Sequence, residues 1–149
     1  MSYWDTSAVV KLFARESDSA AFRSLVAGEP QRLVTTELTR LELWSTLRRK
    51  EAEGFLERGE ARALLSDFDS GCAKGEWKLV PNSDDVRSEF ERVIEQCCSH
   101  NPPIFIRTFD ALHVASALAV GETEIVATDK RLRDAATLLG FQLFPTTNA

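Results

Sequence analysis

Met1-Ser2-Tyr3-Trp4-Asp5-Thr6-Ser7 reads as a short strand that stops on a carboxylate and turns at once into a helix. The same order recurs near the other end of the chain. There Glu124-Ile125-Val126-Ala127-Thr128 is a strand ending at Asp129, and Lys130 to Leu139 has helical spacing. Strands that alternate with helices predict a parallel sheet with right-handed crossovers, so the expected fold class is α/β, a three-layer α/β/α sandwich around a central parallel sheet. In open sheets of this kind ligands collect beyond the carboxyl ends of the strands, where helix N-termini also gather. An acid at a strand end therefore faces a cleft. Taken alone, Asp5 is better read as the cap of the helix beginning near Ala8, so the case for chemistry rests on the other acids.

Between these two units the alternation continues. Ala8 to Arg15 and Asp18 to Val26 read as short helices, the second ending before Gly28 and Pro30, and Leu33-Val34-Thr35 is a second strand. A longer helix is expected from Glu37 to Lys50, with Leu38, Leu41 and Trp44 as its apolar stripe and Glu42 at the edge of it. Gly59 to Cys72 follows as a helix with Ala63, Leu64 and Phe68 on one face, and apolar residues left exposed on this helix pair would need a partner. Trp77-Lys78-Leu79-Val80 is a third strand stopped by Pro81, and Asp84 to Cys97 carries Val86, Phe90, Val93, Ile94 and Cys97 at helical spacing. Ser99-His100-Asn101-Pro102-Pro103 is a loop. Thr108 is the expected N-cap of an almost wholly apolar helix reaching Val120, with Asp110 in its first turn on one line with Val114 and Ala117. Gly121 ends that helix, Gly140 closes the one after Asp129, and Phe141 to Phe144 is a last strand.

The 149 residues, 44% of them hydrophobic, are enough for one well-buried core and predict a single domain spanning 1–149. No apolar run approaches the roughly 20 residues of a membrane span, and the chain opens into a strand rather than a basic then apolar leader. Cys72, Cys97 and Cys98 are odd in number and two are adjacent, which makes no disulfide framework and points to a reducing cytoplasm. The formal net charge of -5 argues against gripping nucleic acid by bulk electrostatics, but acids that hold divalent cations invert the local field. Acidity does not exclude RNA.

Asp5 and Asp129 end strands, while Glu42 and Asp110 lie on or beside apolar helix faces. Brought to one cleft, such carboxylates repel one another unless protonated or bound to cations, and oxygen-only ligands suit Mg²⁺ or Mn²⁺. The natural chemistry of that site is phosphodiester hydrolysis. Glu37 competes with Glu42 as an ordinary first-turn acid, and Asp110 also has a plain reading as a carboxylate favoured by the helix dipole. Asp134, in the run Arg131-Leu132-Arg133-Asp134, reads as a solvated acid.

Four stretches carry a resemblance. They are Trp4-Asp5-Thr6-Ser7-Ala8, Thr39-Arg40-Leu41-Glu42-Leu43, Arg107-Thr108-Phe109-Asp110-Ala111-Leu112-His113-Val114-Ala115-Ser116-Ala117 and Ala127-Thr128-Asp129-Lys130-Arg131-Leu132. In this order and spacing the chain resembles the PIN-domain ribonucleases, and within them the VapC toxins of prokaryotic toxin-antitoxin pairs. The resemblance spans nearly the whole chain and implies that Asp5, Glu42, Asp110 and Asp129 are the catalytic, metal-binding acids. It places Thr6, Ser7 and Thr128 behind them, orienting acids and water. It further implies an RNA substrate, one or two Mg²⁺ or Mn²⁺ ions, a homodimer, and a VapB-like antitoxin that covers the active-site groove. The chain departs from the family's pattern at Ser99 to Ile106, a segment longer than usual, with two prolines and the apolar Ile104-Phe105-Ile106.

His113, three residues after Asp110, reads as a structural imidazole near the cleft rather than a base. Cys97-Cys98-Ser99-His100 lacks the spaced second pair that a zinc site needs. Arg40, Arg48, Arg49 and Lys50 form a basic run that is usually a solvated helix face; Arg49, one turn beyond Ser45 on the Glu42 side, is the candidate RNA contact. Two other functions compete with a metal-dependent endoribonuclease. One is a non-catalytic PIN-like module that binds a partner, which has no need of a costly cluster of like charges. The other is an aspartyl phosphotransfer enzyme, which would want a second Asp where Ser7 stands.

Overall fold

The computed structural model describes residues 2–28 and 33–146. Its centre is a parallel five-stranded sheet, β1 (Tyr3–Trp4), β2 (Leu33–Thr36), β3 (Trp77–Val80), β4 (Glu124–Val126) and β5 (Gln142–Phe144), in the spatial order β3-β2-β1-β4-β5. The first strand is thus the middle one. Tyr3 pairs with Val34 on one side and with Ile125 on the other, and Trp4 with Val126. Parallel pairing on both edges leaves β1 two residues long and wholly buried, as all-parallel sheets require.

Alternation along a strand sends successive side chains to opposite faces, and Tyr3 and Trp4 divide accordingly. Tyr3, Val34 and Ile125 pack into a core with α5 (Asp84–Ser99), α6 (Thr108–Ala119) and α7 (Lys130–Leu138). Trp4, Trp77 and Val126 pack into a second core with α1 (Thr6–Phe13), α2 (Ser19–Gly28), α3 (Thr39–Ala52) and α4 (Glu60–Ala73). These are the three layers expected from the alternation of strands and helices. In the second core Trp4 meets Phe22 and Trp77 edge-on, with ring centroids 6.2 and 6.4 Å apart.

The differences from the sequence reading lie at boundaries and faces. α1 starts at Thr6, not Ala8, because Asp5 itself is the N-cap and accepts from the Ala8 amide. By the same logic β4 ends at Val126, not Thr128, and Asp129 caps α7 through the Leu132 amide. Arg107, not Thr108, holds the N-cap position of α6, where no side chain makes a capping bond. Gly28 is the last residue of α2, and the proposed stop at Pro30 lies outside the described residues.

The stripe of α3 is also different. Leu43 and Leu47 are its buried apolar residues, whereas Leu41 is 61% exposed and Leu38 precedes the helix. On α4 the buried set is Ala61, Leu65, Phe68 and Gly71, with Ala63 exposed and Leu64 partly so. Gly71 lets α4 lie against the start of β3: a Cβ there would stand 3.0 Å from Glu76 Oε2 and 3.2 Å from Trp77 Cδ1. Glu76 can move; the Trp77 ring is held in the core. Gly71→Val is therefore expected to destabilise the fold by about 2 kcal/mol, the scale of overpacking a filled interior. A urea midpoint equal to that of the wild type would contradict this packing.

Residues 100–107 form a strap between α5 and α6. The Ile104 amide donates to the Cys97 carbonyl at 2.9 Å, Ile104 and Ile106 pack on the α5–α7 core, and Phe105 points outward. The strap ends at Arg107, over the carboxyl edge of the sheet.

Candidate active site

Beyond that edge lies an open cleft of about 400 Å³. Asp5, Glu42, Asp110 and Asp129 all line it, and so do Thr6, Ser7, Thr128 and Arg49. Four separate elements contribute these acids: the exit of β1, the first turn of α3, the first turn of α6 and the cap of α7. Their convergence is a product of the parallel topology, which turns every strand's carboxyl end toward the same side.

Asp5 is the most deeply set, at 3% exposure. Its Oδ1 accepts from the Ala8 amide at 2.9 Å, and the Ser7 hydroxyl lies 2.7 Å from both of its oxygens. Ser7 Oγ in turn accepts from the Thr128 amide at 3.2 Å, which ties the two strand-end loops together. Burial pushes the Asp5 carboxyl up to about 6; His113, the Ala8 amide and the Ser7 hydroxyl pull it down, and Asp110 adds to the rise. Asp110 is raised for the same first reason, burial, against the pull of the Arg107 guanidinium.

Glu42 behaves oppositely. Burial would raise it, but the hydrogen bond and charge of His113, the Thr6 hydroxyl and Arg107 together hold it below the usual range. Thr6 Oγ1 donates to Glu42 Oε1 at 2.8 Å, and His113 Nε2 lies 2.7 Å from the same oxygen. An ionised carboxylate only accepts, so Nε2 carries the hydrogen toward Glu42, and Nδ1 on the other side of the ring lies 2.8 Å from the buried Tyr3 hydroxyl. His113 is therefore a positioning residue for Glu42, anchored in the central strand. Glu37 stands apart: its Oε1 accepts from the Asn82 amide, and it does not line the cleft.

The PIN domain family matches residues 2–138. The chain belongs to the PIN-domain family. Ribonuclease VapC46 of Mycobacterium tuberculosis is 32% identical over 140 residues, covering 93% of this chain and 92% of the relative, which sets this PIN domain among the VapC ribonucleases. In three dimensions it is similar to FitAcB from Neisseria gonorrhoeae, with a TM-score of 0.72 at 14% identity over 98% of both chains. It is also similar to VapC20 of Mycobacterium tuberculosis, a toxin that cleaves the sarcin-ricin loop, with a TM-score of 0.67 at 19% identity over 91% of this chain and 95% of that one. At those identities the two solved structures speak for the fold.

The oxygen-only donor set of this PIN domain suits a hard divalent cation, and a buried Asp5 raised to about 6 marks a carboxylate that is costly to ionise without one. Among the described residues no three His, Cys, Asp or Glu side chains stand ready-made around an ion position. A cation of the protein's own is in that space. Arg107 Nε lies 2.9 Å from Asp110 Oδ2, and one terminal nitrogen lies 3.2 Å from Asp129 Oδ2. In the sequence a lone Arg before a helix carries no sign of a second partner 22 residues further on.

The basic run on the PIN domain's third helix resolves residue by residue. Arg40 is clamped on Asp69 through two bonds of 2.7 and 2.9 Å, Arg48 pairs with Glu51, and Lys50 pairs with Glu16. Among the described residues Arg49 alone of the four makes no ion pair, and it lines the cleft. Glu16 also holds Lys11, so the link after α1 is fastened to the end of α3 as one wall of the cleft. Asp134 pairs with Lys130 at 2.7 Å and lies outside the cleft. Cys97 is buried, Cys98 exposed, and the His100 ring bonds the Pro102 carbonyl, so these residues form no metal cluster.

Proposed function

We propose that this chain is an endoribonuclease that hydrolyses RNA phosphodiester bonds with Mg²⁺ or Mn²⁺, acting as the toxin of a toxin-antitoxin pair. The observation that supports it most is the lining of one cleft by Asp5, Glu42, Asp110 and Asp129, each from a different element. Asp5, Asp110 and Asp129 would hold one or two ions, with Glu42 completing the set. The chemistry that such ions supply when bound is charge neutralisation at the phosphate and a more acidic water.

The rest belongs to the chain's own residues. Ser7 holds the Asp5 carboxylate in place, Thr6 and His113 fix the orientation of Glu42, and Thr128 reaches the cluster through Ser7. Arg49, unpaired among the described residues on the rim, would meet a backbone phosphate. Large apolar side chains left exposed at Leu41, Phe55, Phe105 and Phe109 support a protein contact, in the form of a homodimer and a VapB-like antitoxin over the groove. Among the described residues no helix is long and apolar enough to cross a membrane, and a cytoplasmic toxin is the reading the free cysteines favour.

The test is direct. The purified chain, freed of any partner, is incubated with total bacterial RNA in Mg²⁺, Mn²⁺ or chelator, and new 5′ ends are mapped. Discrete ends that appear with either ion and vanish in chelator are expected. Absence of ends with both ions would overturn the nuclease and favour a partner-binding module.

A further inference from the structure

Arg107 is placed unlike any other basic residue of the cleft. Its side chain is 64% exposed, yet the guanidinium reaches inward across the site and joins Asp110, on α6, to Asp129, the cap of α7. The bond to Asp110 uses Nε and the bond to Asp129 a terminal nitrogen, so one planar fork spans two carboxylates from different elements. Asp129 is then fully engaged, since its Oδ1 already accepts from the Leu132 amide. The oxygens bonded to Arg107, Oδ2 of Asp110 and Oδ2 of Asp129, belong to two of the four acids that line the cleft.

We propose that Arg107 is an exchangeable counter-ion: it neutralises Asp110 and Asp129 in the ion-free chain, and a divalent cation entering the cleft must displace it from both. The inference rests on the ion-dependent reading above and adds the chain's own competitor to it. Exposed ion pairs are weak, so the fork can leave without disturbing the fold. The strap behind it does not leave, because Ile104 and Ile106 are packed and the Ile104 amide is bonded to Cys97. Displaced, the guanidinium stays tethered at the mouth of the cleft. Ion binding therefore carries a built-in competitor of fixed local concentration, which weakens the affinity and makes ion loading reversible.

Calorimetric titration with Mn²⁺ alone, without RNA, separates this from the nuclease reading. Arg107→Gln removes both bonds, and the exposure of the side chain keeps folding safe; its Mn²⁺ affinity is expected to tighten about tenfold, with a larger rise in melting temperature on ion addition than the wild type shows. Arg107→Lys keeps the charge but loses the fork, so it should also bind Mn²⁺ more tightly than the wild type, by a smaller factor. Affinity unchanged or weakened in Arg107→Gln overturns the proposal. A tightening in Arg107→Gln with Arg107→Lys equal to the wild type overturns it too, because general repulsion would then explain the effect without a bridge. If Mn²⁺ binds none of the three proteins, the ion-dependent function falls with it; if it binds all three equally, only the counter-ion falls.

Discussion

Asp5→Asn is expected to lower RNA cleavage roughly a thousandfold, the scale of losing one principal electrostatic contact in a buried site. The substitution is nearly isosteric. Asn is as good an N-cap as Asp, so its side-chain oxygen can still accept from the Ala8 amide, and Ser7 can turn its hydroxyl to accept from the new amide. What disappears is the negative charge at the deepest point of the cleft. Cleavage of total RNA in Mn²⁺ measures it, beside a circular dichroism spectrum that shows the fold intact. A variant that cleaves within a factor of a few of the wild type would remove Asp5 from the reaction.

The same variant is expected to be the more stable protein when ions are absent. Asp5 has a pKa of about 6 in the fold against 3.8 for the free side chain, first because of burial. Between those values the folded chain binds more protons than the unfolded one, so stability falls as pH rises from about 4 to about 6. A shift of that size corresponds to roughly 2.5 kcal/mol lost by the wild type at pH 7 relative to pH 4 through this group alone. Asp5→Asn has nothing to ionise. Urea denaturation in chelator should therefore show the variant more stable than the wild type by roughly that amount at pH 7, with the gap closed at pH 4. Mn²⁺ should narrow the gap at pH 7 by stabilising the wild type alone. A variant less stable at pH 7, or a gap independent of pH, would mean that the Asp5 charge is not strained by its surroundings.

The two expectations point in opposite directions, which is what the proposed role requires of Asp5: a residue kept for chemistry at the expense of stability. They also show what the sequence could and could not convey. The order of strands and helices was legible because its punctuation is chemical: Pro81 stops a strand, and Gly121 and Gly140 stand at positive φ where α6 and α7 end. The boundaries moved by two residues at α1 and β4 because Asp5 and Asp129 are caps, and a cap belongs to neither the strand before it nor the helix after it.

The face of α3 was misjudged for a different reason. Leu41, Leu43, Trp44 and Leu47 offer more than one helical stripe, and only the packing of α1 and α4 around Leu43 and Leu47 decides which is inside. Arg107 was not legible at all as a member of the site. Its meaning comes from α6 and α7 standing side by side, and sequence spacing does not report distance across a fold. His113 was placed near the cleft, but its two anchors, Tyr3 and Glu42, come from a strand 110 residues away and a helix 71 residues away.

The pairing of β1 with β4 sets a schedule for synthesis. The first acid of the cluster leaves the ribosome almost at once, at position 5, and the last at position 129, and the strand that carries the first is flanked by the strand that precedes the last. Until β4 has emerged and closed against β1, Asp129 has no place beside Asp110, and the Ser7 hydroxyl has no Thr128 amide to hold. A nascent or truncated chain that ends before Thr128 carries three of the four acids and lacks the fourth wall of the cleft. A cleft completed only by the last strands and helix is assembled late, so the proposed activity is expected to appear only when the chain is nearly finished.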